Sequence, residues 1–255
     1  MNNDTNLKKI MNENNFVRKK IFNKKMSELD KYCSFTIGKY SLPMLLKYEI
    51  ITSLFGSIPG ALGLFLRSKI YRFLFKDIGK NVIFGRYVTI RCPDNIKLGN
   101  NVFIDDYCFL DGRGASDEKI IIEEKTILNR HSYIQSKEGK IHIGPNVSIG
   151  TGSVIISQGG IEIGKWVSLA GGSKISGGMF KIVESESEES MPFHRYSNGT
   201  IHVGEYSIIG SGSVIIDGIS VGKRCMVGPG SIVVKNIPDD TVVSAYPAMI
   251  LRRQV

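Results

Sequence analysis

The chain has 255 residues, of which 42% are hydrophobic, and a formal net charge of +9. This length suits one large domain with an appendage. Four cysteines without CxxC spacing argue against a zinc-finger module and give no reason to expect disulfides. No signal peptide opens the sequence, so we expect a cytoplasmic protein.

The positive charge is concentrated at the start of the chain. Residues 1–77 hold 14 Lys and Arg against 6 Asp and Glu, whereas residues 78–255 hold 19 against 18. An anionic membrane surface would attract such a basic segment. A nucleic-acid partner is not expected, because the large domain shows no basic patch with interleaved aromatic residues.

Within this segment, residues 41–66 are strongly apolar and predict helices. The uncharged part, Ile50–Leu66, is at the lower length limit for a membrane span, and Pro59 interrupts it. Four basic residues follow: Arg67, Lys69, Arg72 and Lys76. Two interpretations remain open. The helices lie in the membrane interface at the inner face of the plasma membrane, or they cap the next domain and pack between subunits.

From Ile78 onward, an aliphatic residue recurs at every sixth position, usually followed by Gly or another small or acidic residue. Hexads that begin a coil are IGKNVI (78–83), LGNNVF (98–103), IEEKTI (122–127), IGPNVS (143–148), IGKWVS (163–168), VGEYSI (203–208) and VGKRCM (221–226). A fixed six-residue period predicts an all-β domain, a parallel β-helix. An inward aliphatic residue at position one and a small inward residue at position five would fill a triangular prism, each coil burying its apolar face against its neighbours.

Three hexads make one coil, so the pattern predicts about seven coils over residues 78–238 and a C-terminal tail at 239–255. Extra residues always follow the third hexad, so every insertion leaves the same corner of the prism. The longest insertion, 177–200, should protrude as a loop, and we expect a site along this edge. Its run ESESEE (184–189) is a poor cation cage, so no metal site is expected.

The closing stretch, IIGSGSVIIDGISVGKRCMVGPGSIVVKNIPDDTVVSAYPAMILRR (208–253), resembles the terminal coils of the left-handed β-helix acyltransferases. It is most similar to the bacterial sugar O-acetyltransferases of capsule and lipopolysaccharide biosynthesis. PGALGLFLRSKIY (59–71) also resembles the N-terminal extension of some membrane-associated members. The resemblance implies a left-handed β-helix and a homotrimer, with acetyl-CoA in the crevice between neighbouring prisms. It also implies a saccharide acceptor and direct transfer with a histidine as general base. By analogy, CoA would contact the last coils around Gly210, Ser211, Gly228, Pro229, Lys235 and Arg252.

Three positions depart from the family's pattern. Phe180 stands where many members have the catalytic histidine, Ile208 where a Trp is common, and Met249 where a Lys is frequent. The base must therefore be sought among this chain's own histidines, since imidazole titrates near neutrality.

His142 in IHIG (141–144) and His202 in IHVG (201–204) each precede the start of a coil, and Glu162 in IEIG (161–164) has the same place between them. Successive strands stack about 4.8 Å apart, so the three side chains should form an outward ladder beside the insertion edge. A carboxylate beside an imidazole would orient it as a base. A surface ladder that only pairs charges is the structural alternative. His194, in the long insertion, is the next candidate, and His131 the last.

These observations predict an acetyl-CoA-dependent sugar O-acetyltransferase. An amino-sugar N-acetyltransferase is the nearest alternative. A zinc lyase on the same prism would need convergent histidines with an open metal position. A non-catalytic trimeric scaffold that has lost its base is the remaining alternative.

Overall fold

The computed structural model describes residue 23 and residues 25–114, 120–182 and 193–245, with the backbone alone at 182 and 193–195. Three helices open the described chain: α1 (Glu28–Thr36), α2 (Leu42–Phe55) and α3 (Gly60–Ile70). A 3₁₀ turn, Tyr71–Leu74, leads into the repeat. Pro59 at the N-cap of α3 separates two helices that would otherwise form one apolar run.

The repeat folds into a parallel β-solenoid with three sheets, one on each face of the prism. The first sheet contains Asp77–Ile78, Ile96–Leu98, Ile120–Ile122, Ile141–Ile143, Ile161–Ile163, Ile201–Val203 and Ser220–Val221. The second contains Ile83–Phe84, Phe103–Ile104, Ile127–Leu128, Ser148–Ile149, Ser168–Leu169, Ile208–Ile209, Met226–Val227 and Val242–Val243. The third contains Thr89–Arg91, Phe109–Asp111, Tyr133–Ser136, Val154–Ser157, Lys174–Ser176, Val214–Ile216 and Ile232–Val233. The predicted fold class, a β-helix of about seven coils, is confirmed.

The corners take their names from this order. The first corner joins the first sheet to the second, the second corner joins the second sheet to the third, and the third corner returns the chain to the first sheet. The insertions all leave the third corner, as the hexad spacing predicts. The strand Val242–Val243 pairs with Met226–Val227, so the sheets extend into the segment that the sequence suggested as a tail.

The interior follows the hexad rule. Aliphatic residues at position one, such as Ile143 and Ile209, are fully buried. Position five carries small residues, and its serines bond to backbone carbonyls within the coil and in the next coil. The Ser173 hydroxyl, for example, donates to Ala170 O at 2.6 Å and Gly210 O at 3.1 Å. These bonds satisfy polar groups that burial would otherwise leave unpaired.

The helices close the N-terminal end of the prism. Their buried side chains join the same hydrophobic core as the first coils: Leu45, Tyr48, Ile51, Tyr71, Leu74 and Phe75. Arg67 is 2% exposed, and its guanidinium donates to the carbonyls of Phe84, Phe55 and Ile58. The inner face of the helices therefore packs on the first coils, which is the contact that the capping interpretation predicts. No helix within the described residues is long and apolar enough to cross a bilayer.

The long insertion begins and ends as an antiparallel hairpin, Met179–Ile182 with Phe193–Tyr196, which we call the arm. ESESEE (184–189) lies outside the described residues. Asp217, only 3% exposed, holds the base of the arm. Its carboxylate accepts from Gly178 N at 2.8 Å, from the Ser197 hydroxyl at 2.9 Å, and from Asn198 N.

Candidate active-site groove

The first sheet places the predicted ladder on its outer face. His142 pairs in register with Glu162, and Glu162 pairs with His202, on three consecutive coils. The stacking expected from the spacing of IHIG, IEIG and IHVG is therefore confirmed. All three side chains are about half exposed, so solvent and ligands can reach them.

The ladder resolves into two imidazole–carboxylate pairs. Glu162 Oε2 lies 3.0 Å from His202 Nδ1, and Glu123 Oε1 lies 2.6 Å from His142 Nε2. Each pair joins adjacent coils. Because a carboxylate accepts hydrogen bonds, it fixes the proton on the facing ring nitrogen and leaves the other nitrogen as an acceptor in the neutral ring.

Glu123 is a site residue that the sequence reasoning missed, although a signal was present. At position two of the hexads that begin a coil, the other six coils carry glycine, and this one carries Glu123. The coil-to-coil spacing is too tight there for an ordinary side chain to follow the same path. A Cβ added at Gly204, for instance, would lie 2.4 Å from the carbonyl carbon of Gly222.

Four of these glycines, Gly144, Gly164, Gly204 and Gly222, line a groove of about 520 Å³ that runs from the first sheet onto the first corner. Its walls carry eight ionisable side chains: Glu123, His142, Glu162, Lys165, His202, Glu205, Lys223 and Asp239. On the corner side, Glu205 accepts from Lys223 Nζ at 2.7 Å and from Lys165 Nζ at 3.1 Å. The two ammonium groups hold the pKa of Glu205 below its ordinary value, with the Lys223 hydrogen bond the largest cause. The groove thus offers imidazoles on one wall and cationic groups on the other.

The remaining histidines lie elsewhere. His131 sits on the second corner, where its ring stacks on Tyr107 with centroids 5.1 Å apart. His194 lies on the second strand of the arm, with its backbone paired to Lys181; its side chain is not described. Phe180, at the position of the family's usual histidine, pairs with Arg195 in the arm and is 59% exposed. Within the described residues, no group of three or more His, Cys, Asp or Glu side chains is arranged to hold a metal ion.

Four of the six residues suggested for CoA contact lie on the second corner, away from the groove. Gly210 and Gly228 stack on the second corner of the last coils, and a Cβ on Gly210 would lie 2.5 Å from Pro229 N. Ser211 and Pro229 are exposed on the same corner. Lys235 is exposed beside a hollow of about 300 Å³ after the last strand of the third sheet. Arg252 lies outside the described residues.

In a triangular prism, the second corner is opposite the first sheet. The groove with His142 and His202 and the ridge with Gly210 and Gly228 therefore face away from each other within one chain. No single face of one protomer therefore carries both sets of residues.

Comparison with known proteins supports the fold and the resemblance to acyltransferases. No family model matches the chain. The dTDP-4-amino-4,6-dideoxy-D-glucose acyltransferase of Escherichia coli is 30% identical over 143 residues, which are 56% of this chain and 63% of that protein. The chain thus spans less than two thirds of the length of this relative.

Among solved structures, AntD, an N-acyltransferase from Bacillus cereus in complex with dTDP and 3-hydroxybutyryl-CoA, matches with a TM-score of 0.50. The match covers 71% of this chain and 84% of AntD at 20% identity. The chain has the fold of the hexapeptide-repeat acyltransferases. The resemblance suggested by residues 208–253 is confirmed at this level.

Proposed function

We propose that this protein transfers an acetyl group from acetyl-CoA to a sugar, with a histidine of the groove as general base. The observation that carries the proposal is the pair of imidazole–carboxylate contacts lining an open groove on an acyltransferase fold. The name of the Escherichia coli relative supports a sugar acceptor. Assembly of surface polysaccharide is the setting that the sequence resemblance suggests.

His202 is the stronger candidate for the base. Its Nδ1 faces Glu162, so Nε2, at the outer end of the ring, carries the free lone pair in the neutral form. His142 has the opposite arrangement, because Glu123 faces Nε2 and leaves Nδ1, which lies close to the backbone. An imidazole held through Nδ1 with Nε2 free is the arrangement of histidine bases in hydrolytic triads.

In the proposed reaction, the acceptor oxygen or nitrogen attacks the thioester carbonyl while His202 Nε2 takes its proton. The tetrahedral intermediate then collapses, the C–S bond breaks, and the imidazolium returns the proton to the departing CoA sulfur. No acyl-enzyme forms. Glu162 acts as a positioning residue, because it orients the ring and stabilises its protonated form.

We further propose that the site is completed in a homotrimer, as the sequence resemblance suggests. The catalytic groove and the second corner of the last coils face opposite ways, so a CoA held on that corner must meet the histidine of a neighbouring protomer. Exposed apolar side chains on the second and third sheets, which meet at the second corner, support contact between copies: Ile127, Ile208, Met226, Ile232 and Val242.

The acceptor group is either a hydroxyl or an amino group of the sugar. The closing stretch of the sequence favours a sugar hydroxyl, whereas the Escherichia coli relative is named for an amino sugar. An amino-sugar N-acyltransferase is therefore the second candidate. Both reactions can use the same base. A hydroxyl loses its one proton as the ester forms, and a neutral amine loses one proton as the amide forms.

The test is release of the CoA thiol from acetyl-CoA, measured with hydroxyl and amino nucleotide-linked sugars as acceptors. His202→Asn should lower kcat by about 10²–10⁴-fold, the usual contribution of a general base. His142→Asn, its matched control two coils away, should cost much less. Loss with His142→Asn and retention with His202→Asn would reassign the base. Retention of activity in both variants would overturn the groove as the site and make the ladder a structural feature.

A further inference from the structure

The outer face of the helical cap is apolar and uncovered in the described structure. On α2, Leu42, Leu46, Ile50 and Leu54 are 44–61% exposed. Their spacing of four residues places them in one stripe along the helix. Leu45, Tyr48 and Ile51, on the other side of α2, are buried against the first coils. Because a helix that is apolar all round is normally covered on every side, this outer stripe needs a partner.

The neighbouring elements extend the same character. On α3, Leu62 and Phe65 are 64% and 58% exposed, and Phe73 in the following 3₁₀ turn is 62% exposed. Lys69 lies on the stripe of Leu62 and Phe65, with its ammonium 5.7 Å from the Phe65 ring centroid. The surface therefore combines large apolar side chains with a cation next to them.

The charge of this surface indicates which kind of partner would bind it. Between residues 42 and 76 the chain has five basic residues against a single acidic one, Glu49. Glu49 accepts a hydrogen bond from the Tyr32 hydroxyl at 2.6 Å. Arg67 is buried under the cap, whereas Lys47, Lys69, Arg72 and Lys76 are exposed. A surface of apolar side chains with exposed cations around it matches the interface of an anionic bilayer. The apolar side chains would enter the acyl boundary, and the cations would contact phosphate groups.

Length decides how the helices would lie. A helix of 14 residues such as α2 is about 21 Å long, whereas the hydrocarbon core of a bilayer is about 30 Å thick. The inner face of α2 is also bound to the solenoid. We propose that the cap, formed by α2, α3 and the turn Tyr71–Leu74, docks flat on an anionic phospholipid surface and holds the N-terminal end of the prism against it.

Co-sedimentation of the full chain with vesicles tests this proposal. Vesicles of phosphatidylcholine with phosphatidylglycerol should bind the protein, and vesicles of phosphatidylcholine alone should bind it far less. Lys69→Gln with Arg72→Gln should weaken binding to the anionic vesicles by about 25-fold, from about fivefold for each basic residue removed. Leu46→Gln with Leu54→Gln should weaken binding to both kinds of vesicle. Raising the salt concentration should weaken binding of the native chain.

The control removes the same charge elsewhere. Lys125 and Lys140 are exposed lysines on the solenoid, away from the cap. Lys125→Gln with Lys140→Gln should leave vesicle binding unchanged. Equal loss in the control, or a native chain that stays in the supernatant with both vesicles, would overturn the proposal. A change of oligomeric state in Leu46→Gln with Leu54→Gln, with unchanged vesicle binding, would instead assign the face to a second copy of this chain. Acyl transfer to a soluble acceptor should survive the Lys69 and Arg72 changes, so this test is independent of the proposed activity.

Discussion

Asp217 is predicted to be the tether of the arm. Its buried carboxylate accepts three hydrogen bonds, from Gly178 N, the Ser197 hydroxyl and Asn198 N. Bonds to a charged acceptor contribute about 1.5–3 kcal/mol each, but they are not additive within one network and water replaces part of them. Asp217→Ala should therefore destabilise the base of the arm by about 2–4 kcal/mol. The coils themselves should stay folded, because each is stabilised mainly by its neighbours.

Hydrogen exchange measures this effect locally. The amides of Gly178 and Asn198 should exchange faster by a factor of about 30 to 700, since each 1.4 kcal/mol is tenfold. Asp217→Asn keeps one acceptor oxygen and should fall between the native chain and Asp217→Ala. The control is Asp240→Asn, because Asp240 pairs with Arg224 at an exposed position and should cause no measurable change at the arm. Unchanged protection of Gly178 and Asn198 in Asp217→Ala would refute the tether.

Four further predictions concern the cap, the coil stacking and, in two cases, the thiols. Arg67→Met should destabilise the protein by about 3 kcal/mol in urea unfolding, because the buried carbonyls of Phe84, Phe55 and Ile58 lose their donor; a loss below 1 kcal/mol would contradict the account of the cap. Gly204→Ala should lower the free energy of unfolding by about 2–3 kcal/mol, because the added methyl group clashes with Gly222. Gly152→Ala should lower it by only about 1 kcal/mol, because Gly152 has a φ of +68° but open space around it. Equal losses in the two variants would be inconsistent with the stacking argument. Burial raises the pKa of the Cys108 thiol from 9.0 to about 11, so its contribution to stability is complete below pH 9 and is lost as the pH rises to about 11. Because all four cysteines are buried as thiols, Ellman's reagent should titrate none of them in the native protein near neutral pH and all of them after denaturation. Prompt labelling of the native protein would contradict this.

The sequence predicts the solenoid well because its period is a direct physical requirement. Each inward position, such as Ile143, must be aliphatic, and each tight turn, such as Gly204, must be small. The same period fixes the register, which is why the stacking of His142, Glu162 and His202 follows from counting residues. Strand alternation then decides that these side chains point outward.

The contacts between coils do not follow from counting. The pairing of His142 with Glu123 depends on side-chain rotamers across two coils, and Glu162 could face either neighbouring histidine. The tether at Asp217 joins residues about 20 and 40 positions apart through backbone amides that leave no pattern in the sequence. Arg67 has the sequence character of a surface cation in a basic run, yet it is buried because three unpaired carbonyls at the helix–coil junction require a donor.

Mixing two inactive variants tests most directly the proposed sugar acyltransferase site shared by two protomers. His202→Asn removes the proposed base on the first sheet, and Ser211→Trp blocks the second corner of the last coils at an exposed position. If protomers carrying the two changes are refolded together in equal amounts, a shared site predicts recovery of about one quarter of native acetyl transfer, because about one in four interfaces has both intact halves. Activity no higher than that of either variant alone would contradict a site built from the groove of one protomer and the second corner of its neighbour.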